Sequence, residues 1–208
     1  MTRLPLFPLP AVLFPNVPMP LHIFEERYRV LVNQCLEEDR PFGITYHRGE
    51  DLRMVGCSAV IDRVTERYDD GRLDIVVVGY ERFRIQDVHA GELFLEADVR
   101  HLPSGPERTD DGLRSRAVQA MLKYSFYGRL PLKREELEAL TGEQLSYAVG
   151  SIDLIGMDTK QEILEIGDST ERLRRAVEQM EQLSNQLVAA EQIRRKLGVA
   201  PDPTAFWN

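Results

Sequence analysis

Leu4–Arg29, LPLFPLPAVLFPNVPMPLHIFEERYR, sets six of the chain's twelve prolines among large apolar side chains and then changes abruptly to a helical pattern. Proline fixes φ and donates no backbone hydrogen bond, so Pro5, Pro8, Pro10, Pro15, Pro18 and Pro20 confine the segment to short extended pieces joined by bends, at sheet edges. The helix that follows is expected over about residues 24–38. Phe24, Tyr28, Leu31, Val32, Cys35 and Leu36 fall at i, i+4, i+7, i+8, i+11 and i+12, which makes one core-facing stripe.

Beyond this helix the period shortens. Phe42 to His47 and Met54 to Tyr68 read as strands, and in the second Val55, Cys57, Ala59 and Ile61 alternate with their neighbours. Asp70-Gly71 marks a hairpin, because glycine accepts the positive φ of a tight primed turn. The returning strand, LDIVVVGYERFRI from Leu73 to Ile85, is continuously apolar at Ile75 to Val78, and Gly79 is the expected bulge. Leu93 to Val99 gives one more strand. The first hundred residues therefore read as a mainly antiparallel sheet, left open or closed into a barrel, with one helix inserted.

A change of character follows at Leu102–Gly112, LPSGPERTDDG, where prolines, glycines and charges replace apolar periodicity. A helix from about Leu113 to Tyr127 is capped by Gly128, and Pro131 prevents its continuation. Thr141 with Gln144, Thr159 with Glu162, and Asp168 with Glu171 have capping-box spacing and mark three helix starts. The last helix is expected from about Ser169 to Leu197, closed by Gly198 and Pro201. Along it Leu173, Ala176, Met180, Leu183, Leu187, Ala190 and Leu197 alternate by three and four, a seam broken only by Arg194. That seam packs on the preceding helices or on a second copy of the chain; the periodicity fits both. The organisation is thus a β domain over 1–101, a linker over 102–112, an α-helical domain over 113–198 and a tail over 199–208.

Charge and cysteine usage narrow the function classes. With 26 basic and 34 acidic residues, the net charge is −8. The corresponding pI is near 5.1. Nucleic-acid affinity rests on neutralising phosphates, so this balance disfavours such a partner. No apolar run approaches the roughly 18 residues of a membrane span, and the prolines interrupt any signal-peptide core after Met1, so a soluble cytoplasmic protein is expected. Cys35 and Cys57 lack the spacing of a zinc or redox motif and read as reduced packing residues.

Catalytic patterns fail on inspection. His22-Ile23-Phe24-Glu25-Glu26 lacks the second histidine of a metalloprotease helix, and Gly56-Cys57-Ser58-Ala59-Val60 lacks the final glycine of a nucleophile elbow. His47, His89 and His101 have no ligand-like spacing. The carboxylate runs at Glu25-Glu26, Glu37-Glu38-Asp39 and Asp69-Asp70 sit where helix ends and turns place solvated charge. Arginine outnumbers lysine 22 to 4. On the long helix Arg172, Arg174 and Arg175, with Arg194, Arg195 and Lys196, read as a solvated basic face, with an acidic partner as the alternative. No catalytic residue, metal or cofactor is expected.

Five ordered segments carry a family resemblance: LPLFPL, PLHIFEERYR, GCSAVI at Gly56–Ile61, IVVVGYERFRI at Ile75–Ile85, and KQEILEIGDSTERLRRAVEQM at Lys160–Met180. Together they resemble the N-terminal substrate-binding domain of Lon proteases, a domain shared in altered form with cereblon. The resemblance implies an α+β fold: a PUA-like antiparallel β-barrel or sheet domain with one inserted helix, followed by an α-helical bundle with a long C-terminal helix. It further implies a stand-alone, non-catalytic module that binds exposed apolar segments of unfolded or partly folded client polypeptides, with a protease or chaperone as collaborator.

No Gly-x-x-x-x-Gly-Lys-Ser/Thr loop is present to cradle nucleotide phosphates, so ATP binding is not expected. The Ser-Lys protease domain would lie beyond residue 208, and two cysteines cannot supply cereblon's zinc site. Phe14, Pro15, Met19, Phe24 and Tyr28 match the family's opening motif and either border an apolar groove or seal the β domain. Phe206 and Trp207 form a second candidate, folding back on the core or inserting into a neighbour. The alternative function is small-ligand or RNA binding by the PUA-like β domain.

Overall fold

The computed structural model describes residues 2–91, 93–103, 105, 110–128 and 132–196. Strands β1 (Thr2–Leu9) and β2 (Pro18–Ile23) precede helix α1 (Glu26–Glu37), which is followed by β3 (Phe42–Arg48), β4 (Asp51–Arg67), β5 (Leu73–Ala90) and β6 (Leu95–His101). The helical half contains α2 (Asp111–Gly128), α3 (Arg134–Glu138), α4 (Gly142–Gly150), α5 (Met157–Glu165) and α6 (Ser169–Lys196). The sheet runs β2-β5-β4-β3-β1-β6, and an additional β5–β6 ladder rolls it back on itself. The result is an α+β fold in which β2 stays outside the ring, so the six-stranded sheet is not a clean barrel.

The prolines are accommodated by a change of partner along β1. Thr2–Pro5 ladder antiparallel with β6, and Leu6–Leu9 ladder parallel with β3. Each half of β1 is laddered on one side only, which leaves room for Pro5 and Pro8 inside a closed sheet. In β2, Pro18 and Pro20 lie on a strand paired only with β5.

α1 begins at Glu26, two residues later than its periodicity implies, and buries Tyr28, Leu31, Val32 and Cys35. Phe24 therefore lies outside the helix and is 61% exposed, not part of the core stripe. Phe7 stacks on Tyr28 with ring centroids 4.0 Å apart, which fixes the helix against β1. Cys35 and Cys57 are free and buried.

The hairpin between β4 and β5 uses a three-residue loop, Asp69-Asp70-Gly71. Gly71 N donates to Tyr68 O and Tyr68 N donates to Arg72 O, at 2.9 and 3.0 Å. Gly71 takes the left-handed φ of 83°. This is a type I turn closed by a glycine bulge, not the two-residue primed turn expected from Asp-Gly.

The opening segment crosses β5 at Gly79. Asn16 N donates to Gly79 O at 2.8 Å, and Gly79 N donates to Val17 O at 3.1 Å. A Cβ on Gly79 would lie 2.1 Å from the Phe14 carbonyl oxygen. The register with β4 shifts here, between the pairs Ala59–Gly79 and Cys57–Arg82, which is the expected bulge.

Phe14 is wholly buried and joins a cluster that contains Leu113, Ala117, Leu145, Tyr147, Leu173 and Met180, so one core runs from the opening segment into the helices. Polar bonds add to it: Gln161 Nε2 donates to Val55 O at 2.9 Å, and Asp158 accepts from Arg48 at 2.7 Å and Tyr46 at 3.2 Å.

Helix boundaries follow capping chemistry in two of three expected places. Thr141 and Gln144 form a complete capping box, and Asp168 accepts from Glu171 N at 2.8 Å. Thr159 is not a cap: it lies within α5, whose N-cap is Gly156. Asp110, not read from the sequence, accepts from Leu113 N at 2.7 Å and starts α2 early.

α6 spans 28 residues, about 42 Å at ~1.5 Å per residue. Its Leu173, Ala176, Val177 and Met180 are buried within the chain and Leu183 is partly so. The side chains of Leu187, Ala190 and Arg194, and all of residues 197–208, lie outside the described residues. No described helix is long and apolar enough to cross a membrane.

Two outcomes follow from this packing. Gly79→Ala must displace backbone and should lower unfolding free energy by about 2–3 kcal/mol, read as a lower urea midpoint at unchanged slope. An unchanged midpoint would contradict the crossing. Burial pushes both Cys57 and Cys35 above the ordinary thiol range, so neither should react with a maleimide in the native state, and both should react after denaturation.

Candidate polypeptide-binding surface

The antiparallel register of β2 on β5 sets His22 opposite Asp74. Since an ionised carboxylate only accepts, the 2.5 Å contact has His22 Nδ1–H donating to Asp74 Oδ1. Tyr68, at the end of the hairpin, donates its hydroxyl to the other oxygen of Asp74 at 2.7 Å. The Phe24 ring stacks beside His22 at 6.0 Å, and Tyr68 meets the same imidazole edge-on at 5.9 Å. Arg72 lies over Tyr68 at 4.9 Å. One carboxylate thus holds two of the rings in an exposed aromatic row, with Phe24 at its far end.

Asp74 is held below the usual carboxylate range, first by His22 and then by Tyr68. The hydrogen bond to Asp74 in turn raises Tyr68. A similar arrangement stands at Asp98, which accepts from Arg3 at 3.2 Å and His89 at 2.8 Å and is likewise lowered.

Only part of the sequence-derived candidate set shares this surface. Phe14 and Tyr28 are buried, so they seal the core as they stand. Met19 is half-buried and packs on the core beneath α1. Pro15 is buried but borders a different feature, described below. Phe24 alone projects freely. Phe206 and Trp207 lie outside the described residues. Tyr68, Arg72 and Asp74 carry no motif in the sequence, and His22 stands out there only in a failed metalloprotease pattern, because the β2–β5 register that joins them is a long-range pairing with no local signal.

A second concavity of about 460 Å³ lies where β5 meets the helices; Pro15, Tyr80, Arg82, Leu102, Gln144 and Tyr147 are among its lining. Arg82, 2% exposed, donates through Nη1 to the carbonyls of Leu164 and Ile166 at 2.9 and 2.8 Å. Arg172 is fully buried behind Tyr147, whose ring it stacks on at 4.2 Å. It donates to Ser146 Oγ at 2.8 Å, Ile166 O at 2.6 Å and Glu143 at 3.4 Å. Burial, more than any neighbouring charge, lowers its pKa. The expectation that Arg172 belongs to a solvated face is therefore wrong: Arg174 and Arg175 face outward toward Glu171 and Glu162, while Arg172, two positions before Arg174, turns inward.

The family model for the ATP-dependent protease La (LON) substrate-binding domain matches residues 3–182. The chain belongs to the Lon substrate-binding domain family. Lon protease 2 of Syntrophobacter fumaroxidans is 26% identical over 200 residues, covering 89% of this chain and 25% of that protein. The Lon protease of Paraburkholderia phytofirmans is 29% identical over 192 residues, covering 84% of this chain and 24% of that protein. The chain thus spans about a quarter of the length of these relatives. Two solved structures share the fold. The N-terminal domain of Mycobacterium avium complex Lon protease gives a TM-score of 0.72 at 21% identity, covering 86% of this chain and 98% of that one. The Lon N-terminal domain protein from Xanthomonas campestris gives 0.67 at 22% identity, covering 84% and 96%.

The lowered carboxyls make the surface acid-sensitive. A depressed folded pKa gives stability that is present above the unfolded value, about 3.9 for Asp, and is lost as pH falls through the folded value. Wild type should therefore exceed Asp74→Asn in Tm near neutrality, with the gap closing below about pH 4. A gap independent of pH would show that Asp74 acts without its charge.

Proposed function

We propose that this chain is a non-catalytic polypeptide-binding module whose β domain, residues 1–101, engages exposed apolar segments of unfolded or partly folded clients. The carrying observation is the exposed aromatic row of Phe24, His22 and Tyr68, in which Asp74 holds His22 and Tyr68 and Phe24 stacks on His22. Fixed aromatic side chains offer large contact area with little rotamer entropy left to lose, which is the property of interface anchors. Membership of the Lon substrate-binding domain family supports a polypeptide as the ligand.

The mode of contact is through side chains. Pro18 and Pro20 occupy two of the six positions of β2, so its open edge is a poor template for strand addition. A client captured here would pass to a separate protease or chaperone. A second copy joined through the far part of α6 would present two such rows and raise avidity.

The test is binding of a denatured model polypeptide against its folded form. Wild type should prefer the denatured form. Phe24→Ser should weaken that binding about tenfold, with stability changed by no more than ~0.5 kcal/mol because the residue is exposed. The control, Val60→Ser, alters an exposed apolar residue elsewhere on β4 and should bind as wild type does. Absence of any preference in the wild-type protein would end the client-capture reading.

A further inference from the structure

Arg82 is more fully buried than its hydrogen bonds justify. Guanidinium has five N–H donors in a planar fork. Nη1 spends both of its donors on Leu164 and Ile166; among the described residues Nη2 reaches only Pro103 O, at the limiting distance of 3.5 Å, and Nε has no partner. The edge of the fork that carries Nε is thus almost unused, although a buried charged donor without a partner is costly. Arg82 lines the junction cleft.

The rest of the cleft agrees with an anionic occupant. Thr141 and Gln144, at the N-terminus of the nine-residue helix α4, form part of the wall, and the positive end of the helix dipole lies there. The cleft's two carboxylates are already engaged. Glu81 pairs with His101 at 2.8 Å, and Glu143 accepts from Tyr147 at 2.8 Å and from Arg172. Neither contacts the Nε edge. Pro15, Leu102, Pro103 and Tyr147 complete the lining with apolar surface.

We infer that the junction cleft is a binding site for a carboxylate carried on an apolar body, with the Nε edge of Arg82 as its anchor. Arginine recognises carboxylate through two parallel N–H bonds, and the edge left short of partners here is the one that offers them. The volume of about 460 Å³ suits a small organic acid or the last residues of a polypeptide. The site shares no residue with the Phe24 row, so it stands or falls separately from the client surface.

The experiment is NMR observation of the Arg82 Nε–H resonance in the ¹⁵N-labelled full chain. Three probes are titrated: an acetylated apolar hexapeptide with a free C-terminal carboxylate, the same peptide as its amide, and hexanoate. The acid peptide should shift the resonance saturably and bind about tenfold or more tighter than the amide, since a charge-assisted bidentate contact is lost in the latter. Hexanoate as tight as the acid peptide assigns the site to small acids; hexanoate far weaker assigns it to a polypeptide terminus. Either result supports carboxylate recognition. Equal affinity of acid and amide, or an unmoved Arg82 resonance at saturating probe, overturns it. Arg82→Lys keeps the charge without the fork and should erase the preference for acid over amide. Should that variant not fold, the wild-type titration alone decides. Val60→Ser, which alters an exposed apolar residue outside both the cleft and the Phe24 row, should leave all three affinities unchanged.

Discussion

The close passage of the opening segment over Gly79 is the constraint on which the rest of the structure depends. Two backbone hydrogen bonds tie Asn16 and Val17 to Gly79, at a separation no side chain at that position would permit. Three consequences follow from this one crossing. Phe14 is carried off the sheet into the helical core, where it lies 6.3 Å from Tyr147. Pro15 and Asn16 become the rim of the junction cleft. The accompanying bulge in β5 precedes Arg82, whose side chain is buried against the connection between α5 and α6. A hydrophobic plug and a buried cation thus join the same two halves from neighbouring points of the sheet.

Charge burial at that joint is balanced mainly by dipoles. Arg82 and Arg172 both donate to the carbonyl of Ile166, the residue that ends α5. The last carbonyls of a helix have no partners within it, so Leu164 and Ile166 are available acceptors at the negative end of the dipole. Glu143 is the one carboxylate bonded to Arg172 among the described residues. Removing one member of such a group leaves the others buried and uncompensated, which typically costs 3–5 kcal/mol, about as much as a large core truncation.

Local chemistry was legible in the sequence wherever one short-range rule acted alone. The stripe from Tyr28 to Cys35, the bulge at Gly79 and the box at Thr141 each appear in the structure as their spacing implies. Reading failed where a local pattern competed with a tertiary demand. Thr159 has the spacing of a cap, but α5 begins earlier, with Asp158 in its first turn bonded to Arg48 and Tyr46 of β3. Helix α3 carries no side-chain cap bond and left no signal to find. Arg172 lies one position from Leu173 and two from Arg174, and only the packing of α4 reveals that it points inward. The opening motif marked Phe14 and Phe24 alike; one residue is wholly buried and the other mostly exposed, because the chain crosses β5 between them.

The aromatic row illustrates why such a surface escapes sequence patterns. His22 and Asp74 are 52 positions apart, and the pair exists only because β2 returns antiparallel on β5. Edge strands ordinarily invite unwanted pairing, and β2 is blunted by Pro18 and Pro20. With backbone recognition suppressed along that edge, a partner must be read by the side chains standing on it. Met19 and Leu21 pack partly inward against the core, leaving His22 and Phe24 as the projecting groups at the strand's end. A ring that stood alone there would sample several rotamers and lose them on binding. Tying His22 and Tyr68 to one carboxylate removes that freedom during folding, so the ordering cost of the surface is met before the proposed binding.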